Sequence, residues 1–132
     1  MLRVLVDSSA WIELFRKQPS KPDIVRRLRG LSLRSDVELL THPFILGELA
    51  IGGVPAGYQV MLGALLALPV AADSDVLAWF QRHRAALAQR HVGWIDLHLL
   101  YAAERRRAVV LTGDSGLALA AFNLHALINP RP

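Results

Sequence analysis

Four acidic residues of this 132-residue chain occupy positions from which their carboxylates could act together. Asp7 and Asp114 each come just after a short apolar, β-branched run, and such runs predict buried strands. The functional crevice of an open parallel sheet lies beyond the carboxyl ends of its strands, so we expect these two side chains to be neighbours. Asp96 begins a predicted helix, and Glu48 lies among apolar residues of another. Both are expected to face the same crevice.

Carboxylates gathered in one place need a counter-charge. Two unit charges about 5 Å apart repel by about 3 kcal/mol at an effective dielectric near 20, so the cluster requires protons or a cation. A ligand set made only of oxygen suits Mg²⁺ or Mn²⁺ better than zinc, and the chain has no cysteine. A divalent ion of this kind supports phosphodiester hydrolysis, because it lowers the pKa of a bound water and neutralises charge on phosphate.

Each acid also has a purely structural interpretation: Asp7 and Asp114 as helix caps, Asp96 as a partner of the helix dipole, and Glu48 as a surface residue of a helix. The hydroxyl groups of Ser8 and Thr112 lie beside the acids in the sequence and could position a ligand, water or phosphate. Ser9 is expected to be a cap or an ordinary helix residue.

The elements that must hold these residues alternate along the chain. Apolar patterning predicts strands at 2–6, 37–41, 68–72, 108–112 and 124–128. Helices are predicted between them: one capped by Ser8 or Ser9, one at about 22–31, one at about 44–51, one at about 58–67, one capped by Asp73 and extending to about 87, one at 95–106 and one at about 115–122. This alternation predicts a three-layer α/β fold with a parallel sheet.

Length and composition fit a single domain spanning residues 1–132. The chain is 53% hydrophobic with a net charge of +4, and 13 of its 15 cations are arginine, which suits a polyanionic partner. The absence of cysteine and of a secretion signal favours the cytoplasm. The 24 uncharged residues between Glu48 and Asp73 are interrupted by prolines and glycines, so no membrane span is expected.

Four segments together resemble PIN-domain ribonucleases, and especially the VapC toxins of bacterial toxin–antitoxin pairs: VLVDSSAWIELF at 4–15, FILGEL at 44–49, VGWIDLHLL at 92–100 and VVLTGDSGL at 109–117. The resemblance implies a five-stranded parallel sheet flanked by helices, a homodimer, a VapB-type antitoxin as partner, and Mg²⁺-dependent cleavage of RNA that leaves a 5′-phosphate and a 3′-hydroxyl. It also assigns roles to individual residues: Asp7, Asp96 and Asp114 as direct metal ligands, Glu48 as a ligand through water or for a second ion, and Ser8 and Thr112 as supporting polar residues.

Other hypotheses stay open at this stage. A phosphoacceptor receiver domain would share the sheet, but it needs a lysine after its last strand, and lysine occurs only at positions 17 and 21. An inactive binding module on the same fold and a stand-alone RNA-processing nuclease are the stronger alternatives. Trp11, Phe15 and Trp94 are expected in the core, although Trp11 and Phe15 could instead line a groove for an antitoxin segment. The five histidines are expected to be structural or surface residues, and His98 to point away from Asp96.

Overall fold

The computed structural model describes residues 1–87 and 92–124. Four strands are present in this part: β1 (Leu2–Val6), β2 (Val37–Thr41), β3 (Leu66–Ala67) and β4 (Val109–Leu111). The helices of the same part are α1 (Ser8–Phe15), α2 (Pro22–Ser32), α3 (Pro43–Gly52), α4 (Ala56–Gly63), α5 (Asp73–Arg82), α6 (Arg84–Leu87), α7 (Trp94–Arg105) and α8 (Ser115–Asn123).

All strand pairs of the sheet are parallel, and the strand order is β3-β2-β1-β4. β1 is central: Val4 is in register with Val109 of β4 and with Leu39 of β2. The connections from β1 to β2 and from β2 to β3 run in one direction across the sheet, and the connection from β3 to β4 runs back. Right-handed crossovers therefore place α1–α4 on one face and α5–α7 on the other, which gives the three layers expected from the sequence.

The third strand differs from its prediction at 68–72. The ladder uses Leu66 and Ala67 instead, extended by one hydrogen bond from the Leu68 amide to the Thr41 carbonyl. Pro69 has no amide hydrogen and cannot continue the ladder, so the strand must lie before it. Because Leu66 and Ala67 belong to the strand, α4 ends at Gly63 rather than at 67. The predicted fifth strand at 124–128 lies outside the described residues, except for Leu124, which follows α8.

Two predicted helix starts are wrong by one residue or two. α1 begins at Ser8, so Asp7 occupies the N-cap position predicted for Ser8 or Ser9. α5 has Ala72 at its N-cap, and Asp73 is its first residue. The helix predicted from Asp73 to about 87 is divided into α5 and α6 at His83, which leaves helical geometry and contacts Glu104 of α7 at 3.3 Å.

The core contains two fully buried tryptophans, Trp11 of α1 and Trp79 of α5. Burial of Trp11 confirms its prediction, and its ring stacks at 6.4 Å on that of Phe15, which is half-buried. Trp94 is 43% exposed, so its assignment to the core was wrong; at the first residue of α7 only one side of its ring can pack inward. No helix within the described residues is long and apolar enough to cross a bilayer.

His42 joins β2 to α3 and is buried at the carboxyl end of the sheet. Its Nδ1 accepts a hydrogen bond from the Phe44 amide at 3.1 Å, which caps α3. Burial, assisted by the nearby His98 ring, lowers the pKa of His42 from 6.5 to about 4. His42 is therefore neutral at physiological pH, as its role as an acceptor requires.

This neutrality makes the stability of the fold depend on pH. Between pH 6.5 and 4 the unfolded chain binds a proton at His42 that the folded chain does not, so stability falls as pH falls through this range, by at most about 3 kcal/mol. Asparagine can cap a helix but does not titrate. We expect His42→Asn to lose less stability than wild type between pH 7.5 and pH 4, measured by urea denaturation. Equal losses in the two proteins would contradict the assignment.

Candidate active site

The carboxyl ends of β1 and β4 form the edge at which the predicted acids meet. β1 lies between β2 and β4, and the chain reaches these two neighbours through crossovers on opposite faces, so a crevice opens at this point of the sheet. The Asp7 amide donates to the Leu111 carbonyl at 2.9 Å, which ties the start of α1 to the end of β4. Asp7 and the loop 112–114 are therefore neighbours, as the sequence predicted.

Two hydroxyl groups fix the carboxylate of Asp7, which is 6% exposed. Ser9 Oγ and Thr112 Oγ1 each donate to Asp7 Oδ2 at 2.8 Å, and the two hydroxyls lie 3.0 Å from each other. Gly113 N donates to Ser9 Oγ at 2.8 Å, and Asp114 N donates to Thr112 Oγ1 at 3.0 Å. None of the hydrogen bonds recorded for the described residues goes to Asp7 Oδ1, so this oxygen can serve a ligand.

In Asp114, as in Asp7, one carboxylate oxygen makes the recorded hydrogen bonds within the protein and the other makes none of them. Asp114 Oδ1 accepts from the amides of Gly116 and Leu117 at 2.8 and 3.0 Å, which caps α8. The structural interpretation of this residue is therefore correct. It does not exclude the functional one, because Oδ2 takes part in none of these bonds and the residue is exposed.

Glu48 lies on α3, and its side chain is exposed rather than enclosed in a pocket. Partial burial of its carboxyl group and the charge of Asp7 nevertheless raise the pKa of Glu48, against a hydrogen bond from the buried Ser8. Glu48 therefore lies within electrostatic reach of Asp7, and Ser8 is close to it.

Asp96, the third residue of α7, is coupled to all three of the other acids. Burial, followed by the charges of Asp7, Asp114 and Glu48, raises its pKa from 3.8 to about 6, although a hydrogen bond from the Gly93 backbone opposes the shift. The fold thus collects four negative charges from four separate segments of the chain. At Asp96 and Glu48, repulsion from the other acids thus adds to the effect of burial.

The chemistry of these donors fits a hard divalent cation. The ligand atoms are carboxylate oxygens, and no ion pair found in the described part of the chain neutralises Asp7, Glu48, Asp96 or Asp114. Within residues 1–87 and 92–124, however, no three acidic or histidine side chains form a complete ligand set as they stand. Like charges favour separation, so a cation would have to draw these carboxylates closer together.

Ser9 is the site residue that the sequence analysis assigned wrongly. It was expected to be a cap or an ordinary helix residue, but it donates to Asp7 and accepts from the Gly113 amide, and its hydroxyl lies 3.0 Å from that of Thr112. The available signal was its position two residues after an acid at a helix start, where its side chain can turn back to that acid. His98, by contrast, is buried, which agrees with the structural role predicted for the histidines, and its ring lies 5.0 Å from those of both Phe44 and Trp94.

Comparison with known proteins identifies the fold. A profile of the PIN domain matches residues 4–123. FitAcB from Neisseria gonorrhoeae is 22% identical over 98% of this chain and 97% of that chain, with a TM-score of 0.59. VapC20 from Mycobacterium tuberculosis, a sarcin–ricin loop cleaving toxin, is 18% identical over 98% and 99%, with a TM-score of 0.66. FitAB bound to a DNA fragment is 23% identical over 96% and 94%, with a TM-score of 0.61. A search of curated proteins finds no match.

Removing one charge from the cluster should stabilise the fold. At pH 8 Asp96 is ionised despite its raised pKa, and the shift from 3.8 to about 6 corresponds to at most about 3 kcal/mol. Because Asp96 is partly exposed, we expect Asp96→Asn to gain about 1–2 kcal/mol in urea denaturation at pH 8 with a chelator present.

Asp75 offers a matched control for this substitution. It is also the third residue of its helix, α5, but it is exposed and lies outside the cluster. Asp75→Asn loses the same favourable interaction with the helix dipole without relieving repulsion, so it should be slightly destabilising. A stabilisation of equal size in both variants would show that the carboxylate cluster is not its source.

Proposed function

Because the chain belongs to the PIN-domain family, we propose that it is a Mg²⁺-dependent endoribonuclease that acts as the toxin of a VapBC-type toxin–antitoxin pair. The observation that carries the proposal is the coupling of Asp96 to Asp7, Asp114 and Glu48 at the edge of the sheet. An uncompensated cluster of hard oxygen ligands next to the crevice of a parallel sheet is suited to metal-assisted hydrolysis of a phosphodiester.

In this proposal Asp7, Asp96 and Asp114 hold the ion directly, and Glu48 reaches it through water or serves a second ion. Mg²⁺, or Mn²⁺ in its place, supplies Lewis acidity toward a water and a phosphate oxygen. The protein supplies the orientation: Ser9 and Thr112 hold Asp7 through Oδ2, and the amides of Gly116 and Leu117 hold Asp114 through Oδ1. Each aspartate thereby keeps one oxygen for the reaction centre.

RNA is the proposed substrate. VapC20, which shares the fold at 18% identity, is described as a toxin that cleaves the sarcin–ricin loop. The net charge of +4 and the predominance of arginine favour a polyanion. Hydrolysis by an in-line water would leave a 5′-phosphate and a 3′-hydroxyl. The lack of cysteine favours the cytoplasm as the site of action.

The direct test is cleavage of total RNA with and without Mg²⁺, followed by mapping of the cut ends. We expect Asp7→Asn to reduce the rate by at least about 100-fold, because the variant removes a charge on which the metal and the developing transition state depend. Asp75→Asn should cleave like wild type. Unchanged folding, checked by circular dichroism, separates loss of chemistry from loss of structure.

The outcomes distinguish the alternatives. Metal binding in calorimetry without cleavage of any RNA would favour the inactive binding module. Cleavage that persists in Asp7→Asn would exclude the proposed metal-centred mechanism. A stand-alone processing nuclease would cleave RNA but would have no antitoxin, and a small adjacent reading frame that encodes a DNA-binding protein would argue against that alternative.

An antitoxin needs an apolar surface to bind. Trp11 is fully buried and is not available, but Phe15 is half-buried, contacts the Tyr58 ring at 4.8 Å, and is accompanied on α1 by Ile12, which is 40% exposed. We propose that the α1 surface formed by Ile12 and Phe15 contributes to binding a VapB-type antitoxin.

The proposed homodimer is supported by apolar side chains on α3 and α4. Ile51 and Val60 are 91% and 85% exposed, so both side chains are available for an apolar contact between subunits. The same helices border an apolar pocket of about 320 Å³ with this lining: Leu46, Leu49, Ala50, Val54, Gln59, Leu62, Gly63, Leu65 and Ala67. We infer that the two subunits associate through α3 and α4.

Substitution of both exposed residues tests this interface. Light scattering should give a dimeric mass for wild type and a monomeric mass for the double variant Ile51→Glu, Val60→Glu, because charged groups would be buried at the contact. Leu33→Glu is the control, since Leu33 is 87% exposed but follows α2. A double variant that stays dimeric would exclude this face, and a monomeric wild type would exclude the homodimer.

A further inference from the structure

A lysine reaches the edge of the acidic crevice from the connection between α1 and α2. We infer that Lys21 is a positioning residue that binds a backbone phosphate of the RNA adjacent to the scissile bond. The inference rests on the proposed function and deepens it, since it assigns the cation that offsets the repulsion between substrate and carboxylates. Neither the motifs nor the spacing of the acids pointed to this residue.

The ammonium group of Lys21 contacts the loop that carries Thr112 and Asp114. Its Nζ donates a hydrogen bond to the carbonyl of Gly113, whose amide in turn donates to Ser9 Oγ. The aliphatic stem runs over the same glycine, because Lys21 Cδ lies 3.7 Å from the place that a Cβ on Gly113 would occupy. Two hydrogen bonds, both made by Gly113, thus link the Lys21 ammonium to the Ser9 hydroxyl that donates to Asp7.

A buried carboxylate holds the backbone of this lysine in place. Glu13 of α1 is 6% exposed and accepts from Ser20 Oγ at 2.5 Å, Arg16 Nη1 at 3.0 Å and the Lys21 amide at 3.2 Å. Burial acts to raise the pKa of Glu13, but these hydrogen bonds and the Arg16 charge outweigh it and lower the pKa. Glu13 therefore stays ionised and anchors the connection between the helices.

The positive charge of Lys21 remains available for a ligand. Its Nζ has three donors, and the recorded bond uses one of them on a neutral carbonyl rather than on a carboxylate. The four carboxylates repel the scissile phosphate as it approaches. An ammonium at the edge of the crevice offsets this repulsion by attracting the neighbouring phosphate of the RNA.

The salt dependence of RNA binding tests the inference, with Lys17 as the matched control. Lys17 belongs to the same connection and carries the same charge, but it makes no recorded contact with the loop. Binding of a labelled 20-nucleotide single-stranded RNA would be measured in an Asp7→Asn background, which prevents cleavage, at 50–300 mM KCl. Lys21→Met keeps the aliphatic stem, and loss of one phosphate contact should reduce the slope of log K against log salt by about 0.7.

We expect Lys21→Met to weaken binding about fivefold at low salt, Lys17→Met to leave the slope unchanged, and Lys21→Arg to retain the wild-type slope. In the active protein Lys21→Met should raise KM much more than it lowers kcat. If Lys21 only stabilised the fold, Lys21→Met would lower kcat and thermal stability and leave the slope of log K against log salt unchanged. That result would overturn the inference.

The design separates failure of this inference from failure of the proposed function. If wild type cleaves RNA with Mg²⁺ and Asp7→Asn does not, the proposed function stands, and equal slopes in Lys21→Met and Lys17→Met then reject the role of Lys21 alone. If wild type neither binds nor cleaves RNA, both are wrong. A smaller slope in Lys21→Met only is the supporting result.

Discussion

Repulsion among four carboxylates at one edge of the sheet is the constraint on which the rest of the structure depends. No local preference of the chain brings Asp7, Glu48, Asp96 and Asp114 together; the parallel sheet and its crossovers do. The pKa of Asp96 is raised first by burial and then by the charges of the other three acids, so part of its shift reflects this repulsion. The core supplies the stability that offsets it, with β1, whose Val4, Leu5 and Val6 are completely buried, directly beneath the site. Stability and function are therefore opposed at these positions.

The aspartates combine a structural and a functional role by using separate oxygens. Asp7 is held by hydroxyl donors and Asp114 by backbone amides, in each case through a single oxygen. The structural and functional interpretations of an acid at a helix start are consequently compatible, because a carboxylate has lone pairs for both. This arrangement restricts the direction of the second oxygen of Asp7 and of Asp114, although the four carboxylates still have to move closer together to form a complete ligand set.

The sequence predicted the features that are local. Short, mostly apolar runs located β1, β2 and β4, and the carboxyl ends of β1 and β4 located Asp7 and Asp114. The features it missed depend on distant parts of the chain. β3 is short, and its position is decided by pairing with Leu40 and Thr41. Pro69, which lies within the predicted strand, was a local signal against 68–72 that the prediction did not use. Ser9 follows Asp7 by two residues, which was a local signal for their hydrogen bond, but Thr112 lies 105 residues from Asp7, so no local pattern could show that the two hydroxyls support Asp7 together.

A nuclease site of this kind must satisfy two opposite electrostatic demands. It needs concentrated negative charge to hold a cation, and it needs positive charge to receive a polyanion. If the positively charged side chain that receives the polyanion paired directly with the carboxylates, the two charges would neutralise each other. In this structure Glu13 accepts a hydrogen bond from the Lys21 amide, and the Lys21 ammonium donates to the neutral carbonyl of Gly113 rather than to a carboxylate. The two charges are thereby kept adjacent but unpaired, and the loop 112–114 is the element that both sides share.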